Sequence, residues 1–248
     1  MDDAISMRGL RIADPDEVDW LRELEPAASI SFMPHAWPAE TWVLHGIWED
    51  PEHGPADSLD PELRERTGLF CSEVTGFASP PPGWRRVRWH ELADRLGVPM
   101  CGSSRGKPVP PCHHWFPYSS WPATMIQPNE GSLDAPTGNR LISVLAEVTE
   151  GGLDAPCIAY YSGAGWPFGE WSQLTLSGPL VSVLDAARFS TRDTVTPDNI
   201  WPIDRNWLLT TDYDLWGTRI AGSPEVVHAV ETDPKLESVR HPPDVTAS

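Results

Sequence analysis

Several absences bound the problem before any motif is read. The 248 residues contain no apolar run near the ~18 that a membrane-crossing helix needs, and no basic-then-apolar start of the kind that marks an export signal. A cytoplasmic chain without a membrane partner is the expectation. Only four cysteines occur, Cys71, Cys101, Cys112 and Cys157. In a chain of this length their even number is weak grounds for disulfides, and reduced thiols are expected. No P-loop, dinucleotide fingerprint, HExxH, EF-hand loop or G-x-S-x-G elbow appears. Bases are scarce as well. Eighteen Lys and Arg face 36 Asp and Glu, giving a net charge of −18. Such a chain repels phosphate backbones, which argues against nucleic acid, and attracts a basic protein.

Other residue types are plentiful. Twenty-seven prolines and thirteen tryptophans are present, the prolines at about twice ordinary usage. They lie among apolar segments, as turn fixers in a folded chain do. Hydrophobic residues make up 40 % of the chain, adequate for a core. The bases are concentrated: between Trp84 and Lys107 stand Arg85, Arg86, Arg88, Arg95, Arg105 and Lys107 against Glu91 and Asp94. That patch suits an acidic surface of the same protein or an anionic ligand.

Periodicity gives a mixed list of elements. EVDWLRELEP, bracketed by Pro15 and Pro26, reads as a short helix. AASISFMPHAW and ETWVLHGIW read as strands joined by a turn. A capped helix is expected at SLDPELRER, and another through WRRVRWHELADRLG, with Trp89, Leu92 and Leu96 on one stripe and Gly97 as its stop. Residues 98–136 hold eight prolines and no regular pattern. SLDAPTGNRLISVLAEVTEGG gives a helix, APCIAYYSG and WSQLTLSG give strands, and GPLVSVLDAARF gives a helical turn. NWLLTTDYDLWGTRIAG is a hairpin turning near Asp212 and Tyr213. The next helix has Ser223 at its cap and Pro224 in its first turn. No βαβ rhythm repeats, so the expected class is α+β: a largely antiparallel sheet with short helices and a long Pro-rich loop region. One domain over 1–248 is expected, with SPPPGW at 79–84 as the place where it would divide.

Three sets of residues are candidates for function. Cys101, Cys112, His113 and His114 are of the types that bind zinc, yet the cysteines are eleven apart and adjacent histidines point apart on an extended chain. The default is no cofactor, with zinc as the alternative. Cys112 beside His113 or His114 also has the types of a nucleophile and its base, the basis of a metal-dependent or cysteine-based hydrolase reading. The aromatics Trp115, Tyr118, Trp121, Trp166 and Trp171 stand in rigid Pro/Gly/Ser settings suited to a partner face. Asp212 and Asp214 share a face if the strand continues, with Asp204 close by in sequence. They would bind a cation, do acid–base work, or cap a turn.

Two stretches, YSSWPATMIQPNEGSLD at 118–134 and residues 199–239, resemble uncharacterised acidic proteins of actinomycetes. The second carries Trp201, Pro202, Trp207, Thr211, Asp212, Tyr213, Asp214, Leu215, Trp216, Thr218, Gly222 and Ser223 in a pattern of Trp-Pro turn, TDYD strand, LW-x-T and GS-capped helix. The resemblance implies common descent and brings no activity with it. The acidic, single-domain composition is also similar to that of immunity proteins, which neutralise toxins. The leading expectation is a cytoplasmic protein-binding module, immunity-like or regulatory, engaging a basic partner; the alternative is the hydrolase.

Overall fold

A computed structural model describes residues 9–28, 31–52, 79–97, 103–104, 107–108, 124–162, 173–188, 195–212 and 215–240. The strands, in chain order, are β1 (Arg11–Ile12), β2 (Ala39–Leu44), β3 (Ile47–Glu49), β4 (Arg85–Val87), β5 (Ser103–Ser104), β6 (Lys107–Pro108), β7 (Met125–Ile126), β8 (Pro156–Tyr161), β9 (Leu174–Pro179), β10 (Asn199–Pro202), β11 (Trp207–Thr211), β12 (Gly217–Gly222) and β13 (Ser238–Val239). The α-helices are α1 (Asp19–Leu24), α2 (Trp89–Leu96), α3 (Ala135–Glu147) and α4 (Pro224–Thr232), and 3₁₀ turns cover Pro15–Val18, Gly152–Asp154 and Leu180–Arg188.

Eight strands form one antiparallel sheet in the order β1-β9-β8-β10-β11-β12-β2-β13, and β4-β3-β7 form a second. The fold is therefore α+β. The large sheet is covered on both faces, which is why every residue of β10, β11 and β12 is buried. Along β8, Cys157, Ala159 and Tyr161 join the core under α3 and α4, while Ile158 and Tyr160 join a second core with Val18, Leu21, Phe32 and Trp201 on the opposite face. A third core lies between the small sheet and α2, built on Leu44, Ile47, Val87, Trp89, Leu92 and Trp216.

The helix expected at 84–97 begins only at Trp89, because Arg85–Val87 pair with β3 as β4. It stops at Gly97, which sits at φ +66° as a left-handed cap. The expected strand at AASISFMPHAW is not formed by its described part. Residues 31–38 cross over the sheet, and side chains of the strands take the place of ladder bonds. Phe32 N–H donates to Asn199 Oδ1 (3.0 Å), its carbonyl accepts from Asn199 Nδ2 and Thr210 Oγ1 (both 2.8 Å), and Arg219 Nη2 donates to the Pro34 carbonyl (3.1 Å). The hairpin is formed by β11 and β12, and Ser223 caps α4 by accepting from Val226 N–H (3.3 Å). Residues 199–202, where the resemblance put a Trp-Pro turn, form β10, and Pro202 ends it. The expected helix at 58–66 lies outside the described residues.

Candidate functional site

Of the candidate carboxylates, Asp204 and Asp212 are described. Trp115, Tyr118, Trp121, Trp166, Trp171, Asp214, Cys101, Cys112, His113 and His114 lie outside the described residues. Asp212 follows β11 and accepts a hydrogen bond from Ser31 Oγ (2.7 Å). Asp204 does not join it: it belongs to the turn at the other end of β11 and holds Asn206 N–H (3.1 Å) and Nδ2 (2.7 Å).

The carboxylate on which the Asp212 charge acts is Asp198, just before β10. It is buried and accepts from Ser162 N–H (2.7 Å). Burial pushes its carboxyl up to about 6, and the Asp212 charge adds to the rise. A sequence reading cannot find this pair, since fourteen positions separate the two residues and only the β10–β11 register aligns them.

In the same end of the sheet lies a buried histidine. His45 Nδ1 meets the Asn129 carbonyl (2.6 Å), so that nitrogen carries the proton. Nε2 is then the acceptor and takes the hydroxyl proton of Thr218 (3.0 Å), which in turn meets Thr211 Oγ1 (2.8 Å). Burial holds His45 down at about 4. It is a neutral relay joining β11, β12 and the end of β2, with each ring nitrogen matched. Beside it, Asp134 caps α3 through Thr137 N–H (3.0 Å) and also holds Gly46 N–H (2.6 Å). Gly46 is required there: a Cβ would come within 2.7 Å of the Asp134 carboxylate.

The described arginines of the basic run, Arg85, Arg86, Arg88 and Arg95, are bound within the protein. Arg85 and Arg95 both pair with Glu49, which is 1 % exposed, and both also pair with Glu91. Arg86 donates to the Lys235 carbonyl (3.1 Å), and Arg88 donates to the carbonyls of Leu236 (2.8 Å) and Pro234. Glu237 closes the clasp from the other side, accepting from Trp89 N–H (2.8 Å) and His90 N–H (3.0 Å) at the start of α2. The acidic groups that Arg85 and Arg95 meet are therefore the protein's own. The pattern extends over the molecule, with Arg22 on Asp19, Arg140 on Asp233, Arg219 on Glu40, Arg240 on Glu231, and Arg205 over the Trp20 ring at 4.7 Å.

A groove opens elsewhere, on the β1-β9-β8 side of the large sheet. Its volume is about 710 Å³, within the range of ligand sites. Ile12, Ile158, Cys157 and Ile203 supply apolar lining, and Asp14, Glu17 and Asp154 supply carboxylates. Arg11, also in the lining, donates to Ser177 Oγ (2.8 Å). Cys157 is no nucleophile: burial, helped by the Asp204 charge, pushes its thiol up to about 12. Among the described residues no group of three or more His, Cys, Asp or Glu is placed to hold a metal, and no helix is long and apolar enough to cross a membrane.

No family model, curated protein or solved structure matches the chain.

Proposed function

We propose that the chain is a cytoplasmic protein-binding module, immunity-like or regulatory, that engages a basic protein. The observation that supports this is the handling of charge. Every arginine whose side chain is described is engaged within the protein, by a carboxylate, a carbonyl, a hydroxyl or an aromatic ring. Acids such as Asp154 and Glu225 stand exposed at the surface. The outward field is thus set by the carboxylate excess behind the net charge of −18, and it draws a cationic protein by long-range attraction. The reading is tested by immobilising the chain, loading native lysate at low salt and eluting with a salt step. Proteins of basic isoelectric point should be held, then released by salt. Retention of none, or of acidic and neutral proteins alone, refutes the reading.

A second reading, acid–base catalysis, draws on Asp198 and Asp212: a carboxyl lifted to about 6 beside a second carboxylate is the arrangement that lets one group hold a proton while the other stays charged. It differs from the expected hydrolase centre, whose residues Cys112, His113 and His114 lie outside the described residues. If it holds, hydrolytic turnover of a broad ester and phosphoester panel is lost in both Asp198→Asn and Asp212→Asn.

A further inference from the structure

We infer that the groove beside β1 is the docking surface of that basic partner, and that its occupant is an extended partner segment with one aliphatic side chain flanked by lysines and arginines. This rests on the binding-module reading and adds a place and a chemistry to it. Three features carry it.

The first is apolar surface left in water. Ile12 is 50 % and Ile203 51 % exposed, and both line the same groove. A large aliphatic side chain left half in water forgoes part of the stabilisation that burial would give it. A chain segment lying along the groove would cover both isoleucines.

The second is charge. Asp14, Glu17 and Asp154 stand around this apolar strip, and the Asp204 charge reaches Cys157 in its lining. Among the described lining residues the one base is Arg11, and it is held by Ser177 Oγ. The complement of an apolar strip among carboxylates is an aliphatic residue among cations. Rim pairs of this type steer and select more than they bind, so the aliphatic anchor supplies the affinity and the flanking bases the choice of partner.

The third is rigidity. The floor is sheet backbone, β8 and β9 paired over six residues from Pro156↔Pro179 to Tyr161↔Leu174, with β1 laid against β9. Gly178 allows the chain at Gly9 and Leu10 to close on β9, since a Cβ there would lie 2.7 Å from the Gly9 carbonyl oxygen. The floor is formed before the partner arrives, so little ordering is needed on this side of the interface.

The test uses short synthetic peptides with the full chain, followed by amide chemical shifts. A peptide with one central leucine between lysines and arginines should shift Ile12, Ser177, Gly178 and Ile203. Replacing its leucine by serine should weaken binding roughly tenfold, about 1.4 kcal/mol. The double variant Glu17→Lys, Asp154→Lys, shown to be folded by an unchanged thermal midpoint, should bind at least roughly tenfold more weakly, and a glutamate-flanked peptide should not bind. If the basic peptides bind but shift residues spread over the surface, indifferent to leucine and to the double variant, the groove is not the docking surface, while the basic-partner reading stands. If neither basic peptide binds at low salt, both are wrong.

Discussion

The clasp around α2 and the groove beside β1 contain the same kinds of charged side chain and use them in opposite ways. At the clasp, Glu49 is buried between two guanidinium groups, and Glu237 is buried on two backbone amides. At the groove, Asp14 and Asp154 stand in solvent around half-exposed isoleucines. A buried, paired carboxylate fixes structure, and its removal is felt in stability. An exposed rim carboxylate such as Asp154 contributes little to stability and can act on something outside the chain, while Asp14 also caps the 3₁₀ turn by accepting from Asp16 N–H (3.1 Å). The net charge of −18 is thus the sum of two populations with different roles.

The comparison can be broken at several points. The largest effect is expected from Glu49→Gln, which leaves Arg85 and Arg95 without their shared partner. Denaturant unfolding should show a loss of about 3 kcal/mol, at the low end for a broken buried pair because both arginines keep some access to water. Next is the response to acid of the sheet end near His45. The unfolded chain takes up a proton at His45 near its ordinary value, while the folded chain does so only near 4. The His45 contribution is therefore whole above pH 6.5 and is lost as pH falls from 6.5 to 4, by about 3 kcal/mol.

Asp198 has the opposite sign. Its folded value of about 6 lies above the ordinary carboxylate value, so the folded state holds the proton more tightly. Its contribution is present in acid and disappears as pH rises through 6. Between about pH 4 and 6 the two slopes cancel in the native chain. Asp198→Asn should remove the compensation: stability at pH 7.5 rises by about 2 kcal/mol, and a steep loss between pH 6.5 and 4 appears in denaturation curves taken across that range.

Glu237→Gln should cost about 1 kcal/mol, by weakening the anionic cap of α2. The smallest effect is expected at the rim, where Asp154→Lys should move the unfolding free energy by no more than about 0.5 kcal/mol. A loss of several kcal/mol there would erase the distinction between the two regions.

Local signals in the sequence were legible where the chain obeys them locally. Gly97 stops α2, Ser223 and Pro224 start α4, and two strand-like segments either side of a turn near Asp212 give the β11–β12 pair. The α+β class follows from the same signals. What escaped depends on pairing between distant residues. Residues 31–38 have strand-like composition, yet their backbone is held by Asn199, Thr210 and Arg219, whose partners no local window contains. β1, β7 and β13 are two residues each, too short for a period. Asp212 was visible as a candidate, but its neighbour Asp198 was not, and neither was the fate of the basic run, because Glu49 and Glu237 reach it from 36 and 148 positions away. The groove has no motif at all: it arises where the chain before α1 lies against β9 and leaves Pro156 at the start of β8 and Ile203 just after β10 exposed.

The most direct measurement is the ionic-strength dependence of affinity for the protein retained in the salt-eluted fraction. Opposed charges at the interface require binding to weaken steeply as salt rises. The double variant Glu17→Lys, Asp154→Lys should bind more weakly at low salt and show a shallower dependence. An affinity that does not change with salt, in the native chain and the variant alike, would contradict the account.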